Sequence, residues 1–78
     1  MTRNEVNIKL GAVLTTLATV DFAPESILYL GTGCNLEEWN ILHTLLQQGG
    51  LVTTMNHAVS ITPAGRQIAA KVEAALHQ

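Results

Sequence analysis

Apolar residues recur every third or fourth position over the first twenty residues and again between 36 and 48, then every second position after a double glycine. Val6, Leu10, Val13, Leu14, Leu17 and Val20 fall on one face of a helix predicted over residues 3–20, about 27 Å long at the usual rise. Thr2 stands before it with Glu5 three residues on, the spacing at which a hydroxyl caps the first turn and the acid reaches back. The opposite face carries Asn4, Ile8, Ala12, Thr15 and Thr19 and is nearly uncharged.

Asp21-Phe22-Ala23-Pro24 ends this helix and opens a short second one over about 24–30, because proline is accommodated in a first turn but not in a helix interior. Ile27, Leu28 and Leu30 are expected inside, and Gly31-Thr32-Gly33 stops the helix. Asn35 with Glu38 repeats the capping spacing and starts a third helix over 36–48. Its apolar side runs through Leu36, Trp39, Leu42, Leu45 and Leu46, and its polar side through Glu37, Asn40, Thr44, Gln47 and Gln48. After Gly49-Gly50 the alternation predicts a hairpin over about 51–61. A two-residue turn at Asn56-His57 would pair Val52 with Ile61, Thr53 with Ser60 and Thr54 with Val59; histidine is a poorer second turn residue than glycine, which leaves a longer loop as the alternative. Thr62 caps and Pro63 opens a last helix over 63–77, with Ala64, Ile68, Val72, Ala75 and Leu76 inward. The expected fold is mainly α with a two-stranded β-hairpin, in the order helix, helix, helix, hairpin, helix.

Seventy-eight residues make one domain, 1–78, and a chain this short hides only roughly 60% of its unfolded surface, so it needs an efficient core or a second copy. An apolar content of 47% with 13% charged residues supplies the core and excludes a disordered chain. One cysteine, Cys34, excludes an internal disulfide and a multi-thiolate metal site, which fits a reducing cytoplasm. Leu10 to Val20 behind Arg3 and Lys9 has the placement of a signal-peptide core, but three threonines and the upstream Glu5 argue against it, and no apolar run reaches membrane-spanning length.

Candidate chemistry is sparse. His43, His57 and His77 fall on three different elements without the one-turn spacing of a helical metal site, so no metal is expected. His43 reads as a half-buried packing residue, His57 as a hairpin-tip residue and His77 as a solvated one. Cys34 is a small residue in a tight turn, or alternatively a thiol activated by the helix start that follows it. Ser26, Ser60 and the histidines form no nucleophile motif, and Gly31-Thr32-Gly33 is too short for a phosphate loop. Neither catalytic residues nor a cofactor are expected. Trp39 belongs in the core, with its indole N–H directed to a backbone carbonyl or the surface.

Two segments carry a resemblance: LLQQGGLV, residues 45–52, and ITPAGRQIAA, residues 61–70. The first is similar to the end of a recognition helix and its step into the wing of the winged helix-turn-helix family. The second is similar to that family's "LTxxG" passage from wing to final helix. The resemblance covers about residues 24–75 and implies a DNA-binding transcription regulator whose third helix enters the major groove of double-stranded DNA. Asn40 with Gln47 or Gln48 would then read adenine edges, Thr44 a thymine methyl or phosphate, and Glu37 a cytosine amine. Asn56 and His57, in a wing tip spanning Met55 to Ala58, would lie near the backbone, and Arg66 would meet a phosphate. The terminal helices would pair two copies through Ile8, Ala12, Thr15, Thr19, Ala70 and Ala74.

Charge pulls the other way. The chain holds four Lys and Arg against six Asp and Glu, a net charge of −2, and none of the four cations lies between Asn35 and Gly65. DNA-binding faces typically neutralise about six to ten phosphates. A protein-interaction module on the same scaffold, with Glu37 and Glu38 meeting a basic partner, is therefore the alternative.

Overall fold

The computed structural model describes residues 2–76 and contains α1 (Arg3–Val20), β1 (Phe22–Pro24), α2 (Glu25–Gly31), α3 (Leu36–Gln48), β2 (Val52–Met55), β3 (Ala58–Ile61) and α4 (Pro63–Leu76). It is mainly helical, with a small antiparallel sheet in the order β1-β3-β2. The expected local signals operate as read. Thr2 accepts the Glu5 N–H at 3.1 Å, and the Asn35–Glu38 capping box is complete. The β2–β3 register pairs Val52 with Ile61, Thr53 with Ser60 and Thr54 with Val59. Asn56 and His57 take φ of 51° and 66°, the left-handed conformation that a two-residue type I′ turn requires. His77, expected near the end of the last helix, lies outside the described residues.

The sheet has three strands, which corrects the two-stranded expectation. Phe22, Ala23 and Pro24 pair with Ser60, Val59 and Ala58 on the free edge of the hairpin. Proline ends this strand because it lacks an N–H, a lack tolerated at a sheet edge. It thus serves as the N-cap of α2, with extended φ and ψ of −61° and 147°, and not as a first-turn residue. The pairing is anchored by two backbone bonds at its ends, Ile61 N–H to Asp21 O at 3.2 Å and Glu25 N–H to His57 O at 2.9 Å.

The core is built from Val13, Leu14 and Leu17 of α1, Trp39, Leu42 and Leu46 of α3, and Leu28, Cys34, Val52, Val59 and Ala69 from the elements around them. Several helix faces are narrower than the apolar pattern suggests. Ile27 and Leu30 of α2 are exposed, Leu30 to 72%, because a two-turn helix buries one stripe, here Leu28. Leu36 and Leu45 flank the α3 stripe and also face outward, as does Val20 at the end of α1. In α4 the inward residues are Gly65 and Ala69, with Val72 half-buried; Ala64, Ile68 and Ala75 are exposed. The close approach of α4 to α1 is made at Gly11 of α1, where Val72 Cγ1 lies 3.2 Å from where a Cβ would stand. Cys34 is buried and accepts the Thr32 hydroxyl at 3.2 Å, consistent with a packing residue.

Candidate functional site

The capping box that starts α3 orients its outer face. Asn35 Oδ1 accepts the Glu38 N–H at 2.8 Å and Glu38 Oε1 accepts the Asn35 N–H at 3.1 Å. Downstream, Glu37, Asn40 and Thr44 share the exposed side with Ile41 and Leu45, and the five line a shallow groove of about 420 Å³. Ile41 and Leu45 are 49% and 43% exposed there, so the surface is as apolar as it is polar. Gln48 is exposed beyond the groove. Gln47 is turned to the hairpin, where its amide donates to Thr54 Oγ1 at 3.2 Å.

Arg66 belongs to another part of the molecule. Its guanidinium pairs with Asp21 and donates to Ala18 O at 3.3 Å, tying the start of α4 to the end of α1. The other cations, Arg3, Lys9 and Lys71, are also on α1 and α4. Neither α3 nor the hairpin carries a Lys or Arg.

A polar cluster lies where α2, α3 and the hairpin tip meet. Glu25 Oε1 accepts the Trp39 indole N–H at 2.9 Å and lies 3.3 Å from His43 Nδ1, while Oε2 lies 3.1 Å from His57 Nδ1. The indole therefore reaches a carboxylate, not a backbone carbonyl. His43 stacks on Trp39 one helical turn away, with ring centroids 5.2 Å apart and planes 11° from parallel. Its Nε2 meets Thr54 Oγ1 at 2.5 Å. Donors and acceptors balance if Gln47 donates to Thr54, the Thr54 hydroxyl to His43 Nε2, and His43 Nδ1–H points to the carboxylate. The Glu25 carboxyl is held below the ordinary glutamate range, chiefly by the Trp39 N–H; burial opposes this, and the bond from His57 and the proximity of His43 add to it.

Glu25, Trp39 and His57 of this cluster line a cleft of about 290 Å³ together with Pro24, Ser26, Tyr29 and Leu36. Ser26 lies in the cleft, but among the described residues no serine hydroxyl bonds an imidazole, so no nucleophile–base pair forms. No group of three His, Cys, Asp or Glu among the described residues is disposed to hold a metal ion. His43 and His57 stand on separate elements, and only folding brings both to Glu25. The missed signal was β1: once Pro24 pairs with Ala58, Glu25 must fall beside His57.

A third surface lies between the first and last helices. Asn7, Ile8, Gly11, Ala12, Thr15, Val72 and Ala75 line an apolar groove of about 470 Å³, with Ile8 63% exposed at its rim. Ile8, Ala12 and Thr15 are thus brought together as expected of one face. Thr19, Ala70 and Ala74 are exposed but outside the groove, whose α4 wall is Val72 and Ala75. No described helix is long and apolar enough to cross a membrane. No protein-family model, curated protein or solved structure matches the chain.

Proposed function

We propose that this chain is a non-enzymatic winged helix-turn-helix domain that docks a protein partner through the outer face of α3. The order of elements, with β1 flanking a hairpin that follows α3, supports the scaffold. The observation that carries the docking role is the character of the α3 face: exposed Ile41 and Leu45 beside Glu37, Asn40 and Thr44, with no Lys or Arg on α3 or the hairpin. Such a mixture suits the apolar centre and polar rim of a protein interface. Phosphate contacts, by contrast, would fall on a surface whose fixed charges are Glu37 and Glu38. Arg66, the cation nearest the hairpin in sequence, is already neutralised by Asp21.

DNA recognition is the second reading, favoured by the outward Asn40, Thr44 and Gln48 on a helix in the position of a recognition helix. Fluorescence anisotropy of a labelled random duplex at about 50 mM salt separates the two. The docking reading expects no saturable binding; micromolar binding that weakens steeply with salt and is lost in Asn40→Ala and Thr44→Ala would replace it with the DNA reading. Selection of displayed peptides against the chain, with counter-selection against Ile41→Asp, is expected to enrich sequences that lose binding when Ile41 is charged.

Pairing of two copies through the α1–α4 groove is part of the same proposal, supported by the exposed Ile8 beside the Gly11–Ala12 depression. Light scattering is expected to give twice the chain mass at micromolar concentration and a single chain for Ile8→Asp. A single-chain mass for the unsubstituted protein removes the pairing and leaves the docking surface untouched.

A further inference from the structure

Glu25 is a carboxylate 20% exposed in a cleft with apolar and aromatic walls. A buried or half-buried charge ordinarily has a charged partner. Here the groups around it are the Trp39 indole and the imidazoles of His43 and His57, while every Lys and Arg of the chain lies on α1 or α4. Oε1 is committed to Trp39 and faces His43 from within the fold. Among the described residues Oε2 is held by His57 alone, whose side chain is 92% exposed at the turn and can swing away. The cleft, lined also by Leu36, Tyr29 and Trp39, therefore offers one displaceable carboxylate oxygen.

We infer that this cleft receives a basic side chain, arginine above all, from the protein partner that docks on α3. The inference rests on the docking reading and names that partner's chemistry: a segment with aliphatic residues for Ile41 and Leu45 and one arginine for Glu25. The alkyl stem of arginine packs along Leu36 and Tyr29, and the guanidinium replaces His57 on Oε2 while its plane lies against the aromatic wall. Glu37, exposed in the groove on α3, adds attraction of the same sign. A volume of about 290 Å³ admits one such side chain and is small for a free cofactor.

The test is a nitrogen–proton NMR titration of the full chain with a capped pentapeptide LARAL and its citrulline counterpart, which keeps the shape and removes the charge. The arginine peptide is expected to move the Trp39 indole N–H resonance together with Leu36 and Tyr29. Citrulline, or Glu25→Gln with the arginine peptide, is expected to bind about tenfold more weakly. Leu36→Ser, at an exposed wall, is expected to weaken binding with the carboxylate intact, and His57→Ala to leave binding unchanged or tighter. An unmoved indole, or equal shifts from arginine and citrulline, overturns the inference. Shifts confined to Ile41, Thr44 and Leu45 overturn the cleft assignment alone, whereas duplex DNA binding with no peptide shift overturns the docking reading as well.

Discussion

Gly65 is the glycine of the ITPAG segment, and its position makes a sharp demand on the chain. The first turn of α4 crosses the end of α3's exit loop so closely that a Cβ on Gly65 would collide with the Leu51 carbonyl oxygen and stand 2.8 Å from Ile61 Cγ1. That carbonyl is not at liberty to move, since it accepts the Thr62 N–H at 3.0 Å, and the Thr62 hydroxyl in turn caps α4 through the Gly65 N–H at 3.1 Å. Overpacking of this kind costs about 1–3 kcal/mol, and displacing Leu51 weakens a bond worth about 1 kcal/mol. Alanine's better helix propensity returns about 1 kcal/mol. Gly65→Ala is thus expected to destabilise by about 2 kcal/mol, or roughly 8–16 °C in Tm for a domain of this size. Gly11→Ala is the control. Its Cβ would meet only the Val72 side chain, at 3.2 Å, which can yield, so the propensity gain offsets the crowding and stability should stay within about 0.5 kcal/mol of wild type. Urea unfolding followed by Trp39 fluorescence, with both substitutions made in Ile8→Asp so that pairing through the α1–α4 groove does not intrude, measures both. A Gly65→Ala protein as stable as wild type, or a Gly11→Ala protein damaged equally, would falsify the crossing argument.

Three further expectations follow from the polar contacts. The lowered Glu25 carboxyl contributes stability above the ordinary glutamate range and loses it as pH falls through the folded-state value, so wild type should lose more stability between pH 7 and about pH 3 than Glu25→Gln; coincident pH profiles would contradict the Trp39–Glu25 account. His57→Gly removes the cost of a left-handed histidine, about 1 kcal/mol, at the loss of one exposed bond to Glu25, and is expected to raise Tm slightly; a clear fall would mean that the bond outweighs the turn. Asp21→Asn disrupts the exposed pair with Arg66 while keeping the backbone bond from residue 21 to Leu17 O, so the change should be under about 1 kcal/mol and vanish at high salt.

How far the sequence reveals this molecule depends on how far apart the interacting residues lie. The caps at Thr2 and Asn35 and the strand register were readable because each depends on residues a few positions apart whose spacing is set by backbone geometry. The polar face of α3 is readable for the same reason, whereas the exposure of Ile41 on it is set by what the packed elements leave uncovered. The three-residue β1 was hidden, being too short to show an alternation and interrupted by a proline that also reads as a helix start.

From the order of its residues alone, this chain was committed to four helices, a tight hairpin and an α3 surface without fixed positive charge, since these follow from local periodicity, capping and composition. Which leucines are inside was decided by the partners each helix meets: Leu30 and Leu45 have the same chemistry as Leu28 and Leu46 and differ only in what the packed elements cover. The meeting of Glu25 with Trp39, His43 and His57 was also a tertiary decision. It joins residues up to 32 positions apart, and such separations are closed by the sheet pairing of β1 with β3 rather than by any local rule.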